Sequence, residues 1–333
     1  MTTTAEHVNT PQKFDGKYWQ QIPNEFRPRA YQTTSLESKL LAEANNDIKN
    51  HNDLNTDDDG ENLFDLFQSN DDSDEEDEND FIEHTTIGKQ TYHLRPPPDT
   101  GTLFAHKVWS GSKLLATYLY ENSDLIRNKC TVELGAGTAL PSLVCLNQGS
   151  SISIITDYPD DGVIHALKET VGWNWECIHE KNLQNDYKVK NNNMHLMNRV
   201  GVIGHEWGKN TKSVQDFALN TFTNNVRMEG NQIKSMDRDQ NKFYFDVAIL
   251  SECLWMHRTH QDLAKSLHEL LHPLHGMAIV TYAHHIPGCE EEDDAFFQIC
   301  AEKYGMITEH VMTKPMDYMW DSIDIHLKIV RNI

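Results

Sequence analysis

The stretch Thr131 to Ser142 reads T-V-E-L-G-A-G-T-A-L-P-S, an apolar strand from Cys130 to Leu134 that runs directly into Gly135-Ala136-Gly137 and then into an apolar helix through Leu146. A strand that turns into a helix on glycines leaves backbone amides bare enough for a ligand to approach, as in nucleotide-type sites at the carboxyl ends of parallel strands. It is not a phosphate-binding P-loop, because no Gly-Lys-Ser/Thr follows. The dinucleotide pattern G-x-G-x-x-G is also incomplete, since Leu140 occupies the third glycine position. Two carboxylates give the turn its context. Glu133 precedes the glycines, where it could meet a ligand ammonium. Asp157 ends the next strand, where an acceptor pair suits a vicinal diol such as ribose, although an aspartate there could instead cap the following helix.

The rest of the chain repeats this alternation. Strands are predicted at Ser151 to Thr156, Val200 to His205, Phe245 to Leu250 and Met277 to Tyr282, and helices at Val108 to Tyr120, Gly162 to Asn174 and His260 to His272, the last stopped by Pro273. Strand and helix in turn imply a mostly parallel sheet covered on both faces. Thr85 to Leu94 alternates around Gly88-Lys89 as a β-hairpin. A helix at Asp294 to Tyr304, a strand at Met306 to Val311 and a strand at Ile323 to Val330, the strands joined by a short irregular loop, imply an antiparallel edge hairpin.

Only 38 % of the 333 residues are apolar, so one domain of about 200 to 250 residues carries the core. The charge map agrees. Of the net charge of -22, the run His51 to Asp80 supplies fourteen acids and no Lys or Arg. Residues 1–82 are expected to be a largely disordered acidic region, broken by an aromatic island at Phe14 to Tyr31 and the L-F-D-L-F of Leu63 to Phe67. The folded domain is expected over 83–333, with a polar insert at about 209–242. Such acidity argues against nucleic acid as a partner. No run is apolar enough for a membrane span and the N-terminus lacks a signal peptide, so a cytoplasmic protein is expected. Six scattered cysteines without a C-x-x-C pair read as reduced, mostly packed thiols and exclude a zinc ribbon.

His268-Glu269-Leu270-Leu271-His272 matches the zinc motif H-E-x-x-H. Leu267, Leu270, Leu271 and Leu274, however, define the buried face of that helix, which turns the histidines to its flank or to solvent, and Pro273 ends it. No metal is expected. His284-His285, after the fifth strand, either lines a substrate pocket or lies on an exposed loop.

The segments VELGAGTALPSLVC, ITDYPD, HEWG and LSECLWMHRTH, with His106-x-x-Trp109 upstream, resemble the seven-strand S-adenosylmethionine-dependent methyltransferases. More narrowly, they are similar to the nicotinamide N-methyltransferase-like family that includes the elongation factor 1-alpha N-terminal and lysine methyltransferases. The resemblance runs from about Thr85 to Ile333 and implies a Rossmann-like α/β fold and S-adenosyl-L-methionine as cofactor. The cofactor shell it implies comprises Trp109, Gly135, Ala136, Gly137, Asp157, Trp207 and Ser251, with Trp207 beside the adenine. Glu133, before the glycines, joins that shell on the residue reading. After Ser251 the chain departs from the family, reading Glu-Cys-Leu-Trp-Met-His where Asp and an apolar pair are usual.

Glu252 and Tyr282, at the ends of central strands, are the expected acceptor-facing, catalytic residues. The expected reaction is N-methylation of a protein amine, a lysine or N-terminus of a translation factor, by a monomer acting on a basic substrate. A nicotinamide-like small molecule and a non-catalytic binding module are the alternatives. An amine acceptor must lose its proton, at a cost of about 4 to 5 kcal/mol for lysine and about 1 kcal/mol for an α-amine at pH 7.

Overall fold

The computed structural model describes residues 22, 24–27, 82–97, 105, 107–175, 178, 199–226, 236–237, 242–318 and 321–332. The acidic run His51 to Asp80, the Leu63 to Phe67 island, most of Phe14 to Tyr31, and His106 lie outside these residues. The chain divides into two units, Met1–Phe81 and Ile82–Ile333. In the first, the described residues form a short 3-10 turn, Asn24–Phe26, and Arg27 Nε donates to the Ile22 carbonyl at 2.7 Å.

The second unit begins with the predicted hairpin, β1 (Glu83–Ile87) and β2 (Gln90–Leu94), which turns on Gly88 at φ +60°. Helix α1 (Ser110–Glu121) leads into β3 (Cys130–Leu134), α2 (Leu140–Asn147), β4 (Ile152–Asp157), α3 (Asp161–Trp173) and β5 (Val200–Gly204). Helix α4 (Lys212–Val226) and a minimal pair, β6 (Met236–Asp237) and β7 (Lys242–Phe243), precede β8 (Val247–Ser251). Helix α5 (His260–Leu270), β9 (Met277–Ala283), α6 (Glu290–Tyr304), β10 (Ile307–Tyr318) and β11 (Asp321–Arg331) complete the chain.

Seven strands form one sheet in the order β5-β4-β3-β8-β9-β11-β10. The first five are parallel, and β11 and β10 close the sheet as an antiparallel edge hairpin, so the fold is the Rossmann-like α/β sheet expected. Every residue of β3 and β4 is buried. That is why these strands read as continuous apolar runs rather than as alternating ones. Cys130, Val132 and Leu134 pack with Val214 and Ala218 of α4, Leu263 and Leu267 of α5, and Phe296 of α6. On the opposite face of β3, Glu133 meets the first turn of α2.

Two expectations about elements are corrected, and the polar insert, to which no element was assigned above, contains a helix. The polar insert is helical over Lys212–Val226, because Val214 and Ala218 supply a narrow apolar stripe that is fully buried. Strand β10 runs on to Tyr318 where Val311 was predicted as its end, β11 is slightly longer than predicted, and the two pair from Ile307↔Arg331 to Tyr318↔Asp321, across a register shift between His310 and Met312. Polar residues such as Thr313 and Lys314 hide this length, because an edge strand shows most of its side chains to water. Leu274, assigned above to the buried face of α5, is 78 % exposed, since the helix stops at Leu270 and Leu274 falls in the turn beyond it. Among the described residues no helix is long and apolar enough to cross a membrane.

Candidate active site

After β3 the chain crosses to β4 and β5 on one side and then returns to β8 and β9 on the other. A crevice opens at such a switch point, outside the carboxyl ends of the strands. Here it is a cavity of about 420 Å³ whose walls include the glycine turn after β3, Asp157 after β4, His205 to Trp207 after β5, Ser251 to Cys253 after β8, and Trp109 before α1.

The glycines are required by geometry. Gly135 and Gly137 sit at φ +72° and +55°, a region L side chains rarely enter. A Cβ on Gly135 would stand 2.9 Å from both the Trp207 ring and Cys253 Sγ. Beneath the turn, the Cys253 thiol donates to the Leu134 carbonyl at 3.2 Å, and burial raises its pKa far above the ordinary thiol value. This thiol is packing, not a nucleophile.

Asp157 is nearly buried and is fixed by two backbone donors: Gly137 N–H to Oδ2 and Tyr158 N–H to Oδ1, both at 2.7 Å. Desolvation raises its pKa and these bonds oppose the rise. Each oxygen keeps a further lone pair for a ligand. Asp157 does not cap α3. That task falls to Asp160, whose Oδ1 accepts from Gly162 and Val163 N–H at 2.9 and 3.1 Å.

Glu252 leaves β8 at φ +56°, unusual for a residue with a side chain. Its Oε1 accepts from Gly111 N–H at 3.0 Å, and its Oε2 lies 3.0 Å from His285 Nε2. Trp109 stands edge-on to His285, ring centroids 5.3 Å apart, with Lys107 Nζ 3.9 Å from the Trp109 ring centroid. Ser251 lies beside Thr281, whose hydroxyl donates to the Gly111 carbonyl at 3.0 Å. Of the predicted residues, Trp109, Gly135, Ala136, Gly137, Asp157, Trp207, Ser251 and Glu252 all line the one cavity.

Two do not, and both expectations are corrected. Glu133 is fully buried behind the turn. Its Oε2 accepts from Ser142 N–H at 3.1 Å, and its Oε1 is a buried oxygen without a hydrogen-bond partner. Burial pushes its pKa up to about 8, so it braces α2 rather than meeting a ligand. Tyr282 points away because side chains alternate along a strand. Thr281 faces α1, whereas the Tyr282 ring packs on Phe297 of α6 and its hydroxyl donates to Asp294 Oδ1 at 2.5 Å. His284 is likewise engaged below the site. Its Nδ1 lies 2.9 Å from Asp293 Oδ2, and Asp293 Oδ1 lies 2.7 Å from His257 Nε2.

The H-E-x-x-H motif comes apart in three dimensions. Helix α5 ends before His272, which stacks on His275, while His268 stacks on Tyr304 and Glu269 accepts from the Thr211 hydroxyl. Among the described residues no group of three or more His, Cys, Asp or Glu is arranged to hold a metal ion. Lining residues not anticipated from the sequence include Lys107, His205, Met256, Arg258 and Asp262. His205 carried a signal, its place two residues before Trp207 at the end of a strand. Lys107 and Met256 come from loops whose course no local pattern reveals, whereas Arg258 lies in the 3-10 turn His257–Thr259 and Asp262 in the first turn of α5.

A glycine turn and a strand-end carboxylate at the switch point of a Rossmann-like sheet define a nucleotide-type site, and comparison with known proteins narrows it. The protein N-terminal and lysine N-methyltransferase efm7 of Schizosaccharomyces pombe is 27 % identical over 222 residues, covering 66 % of this chain and 71 % of that protein. The protein of the same description, EFM7, from Gibberella zeae is 28 % identical over 214 residues, covering 64 % and 70 %. These relatives bear out the resemblance read in the sequence. Among solved structures, P. horikoshii TYW2 in complex with MeSAdo is similar at 12 % identity and a TM-score of 0.40, covering 76 % of this chain and 72 % of that one. No protein-family model matches the chain.

Proposed function

We propose that the chain is an S-adenosylmethionine-dependent methyltransferase that methylates a protein amine, a lysine side chain or an N-terminus, as its curated relatives are named. The observation that carries this reading is Asp157, held rigidly at the rim of the glycine turn with acceptor capacity to spare. The residues present fit the cofactor. Asp157 would take the ribose hydroxyls, the glycine turn admits a ligand against bare backbone, and Trp207 offers a flat face beside that turn. When bound, S-adenosylmethionine supplies a methyl group carried on a positively charged sulfur.

The work left to the chain is positioning and desolvation. Trp109, Trp255 and Met256 wall the cavity with apolar surface, which disfavours the charged form of an arriving amine and helps meet the cost of neutralising it. A carboxylate beside that amine acts in the opposite sense. Glu252 is therefore assigned to capture and orientation: an amine N–H donating to it fixes the direction of the nitrogen lone pair. The substrate is a basic protein, and the enzyme acts as a monomer. The cytoplasm is the compartment proposed, in keeping with cysteines scattered along the sequence without a C-x-x-C pair.

Calorimetry tests the cofactor assignment. Asp157→Ala is expected to weaken S-adenosylmethionine binding by about 1 to 3 kcal/mol, the cost of leaving the diol unpaired. Wild-type affinity in that variant would overturn it.

A further inference from the structure

Four independent features converge on one carboxylate. The Glu252 backbone is held at φ +56°, a conformation a glutamate occupies only where its surroundings impose it. Its Oε1 is bound by a backbone N–H from the first turn of α1, and its Oε2 by the His285 ring. The residue that supplies the N–H is a glycine, and any Cβ there would stand 2.4 Å from Oε1 and 2.7 Å from Cγ and Cδ. Glycine is the weakest helix former after proline, so its presence in α1 works against the helix and in favour of the carboxylate. The Glu252 side chain is only 4 % exposed, yet Glu252 lines the cavity.

We propose that Gly111 and His285 are positioning residues that lock the Glu252 carboxylate in a single orientation toward the acceptor end of the cavity, so that this end selects a cationic ammonium over an uncharged acceptor. The inference rests on the methyltransferase reading for the meaning of the acceptor end, but the lock itself is a property of these three residues. Because a carboxylate only accepts hydrogen bonds, the bond from His285 fixes the ring with its proton on Nε2. Trp109, edge-on to that ring, holds it from the cavity side. The two donors, one on each oxygen, hold the carboxylate plane in this orientation. An ammonium entering the cavity therefore meets an acceptor whose ordering cost has already been met by folding. A neutral pyridine or alcohol gains nothing comparable.

The test uses the intact chain and two probes, n-butylammonium and its uncharged counterpart butan-1-ol, titrated against the fluorescence of the cavity tryptophans. Wild type is expected to bind the cation about tenfold more tightly than the alcohol, the scale of one charge-assisted hydrogen bond. His285→Phe keeps the aromatic contact with Trp109 but removes the donor, and should abolish the preference. His285→Gln places an amide donor near the lost Nε2 and should restore most of it. Gly111→Ala, whose Cβ would displace the carboxylate from its two donors, should also abolish the preference. Equal affinity for the two probes in wild type, or an undiminished preference in His285→Phe, would overturn the inference. Calorimetric titration of S-adenosylmethionine into the same variants separates the two claims. Failure of wild type to bind it would remove the methyltransferase reading, whereas the ammonium titration decides the lock by itself.

Discussion

Glu133 shows how one buried atom sets a property of the whole domain. The carboxyl is sealed behind the glycine turn with one oxygen bonded to Ser142 N–H and the other unpartnered, and burial pushes its pKa up to about 8. In the unfolded chain the group titrates near its ordinary value of 4.5. Between these values the folded protein holds a proton that the unfolded chain has released, so unfolding becomes easier with each rise in pH across the window and the effect levels off above about 8. Below the ordinary value both states are protonated and the group contributes no slope. Glu133→Gln is neutral at every pH and is expected to flatten the dependence between about 4.5 and 8. Denaturant titrations of wild type and variant at several pH values measure this, and an unchanged slope in the variant would show that another group is responsible.

At the scale of elements, α5 carries the motif most open to misreading. His268 and His272 match a zinc signature on paper, but the helix ends at Leu270 and each ring is spent on a neighbouring aromatic ring, Tyr304 and His275. Replacing both by alanine is expected to leave methyl transfer intact and to cost at most about 1.5 kcal/mol of stability per lost ring contact. Elemental analysis should find no stoichiometric zinc in the wild type, and one zinc per chain that disappears in the double variant would reverse the assignment. The same stretch shows what a sequence makes legible. Strands β3, β4, β8 and β9 could be placed to within a few residues, because a strand buried on both faces is a short apolar run and nothing else nearby imitates it. The glycine turn, Asp157 and Trp207 were legible for the same reason, lying where such runs end. Tyr282 was not, since the end of a strand gives position along the sheet but not the face, and one step separates Thr281 above α1 from Tyr282 above α6. Helix α4 was missed because only two small apolar residues, Val214 and Ala218, are fully buried in it, while Phe217 and Leu219 pack against the core only in part. His285 drew notice only as one of two adjacent histidines. Its partner Glu252 lies 33 residues away, a relation that only the fold creates.

At the scale of the molecule, charge is distributed unevenly: fourteen acids without a base lie between His51 and Asp80. A field of this kind acts mainly on the rate of encounter and is screened over about 8 Å at physiological salt. Deleting Met1 to Asp80 is therefore expected to leave cofactor affinity unchanged and to lower kcat/KM for a basic protein substrate at low salt, with the two enzymes converging as salt rises. Equal values at low salt would make the segment passive, and loss of cofactor binding would mean that residues before Ile82 contribute to the site. The central claim, methyl transfer to a protein amine, is tested most directly by incubating the enzyme and a cell lysate with radiolabelled S-adenosylmethionine and separating protein-bound from small-molecule counts. The account predicts label in protein, recovered after hydrolysis as N-methylated lysine or an N-methylated terminal residue. Label confined to the small-molecule fraction, or none transferred at all, would contradict it.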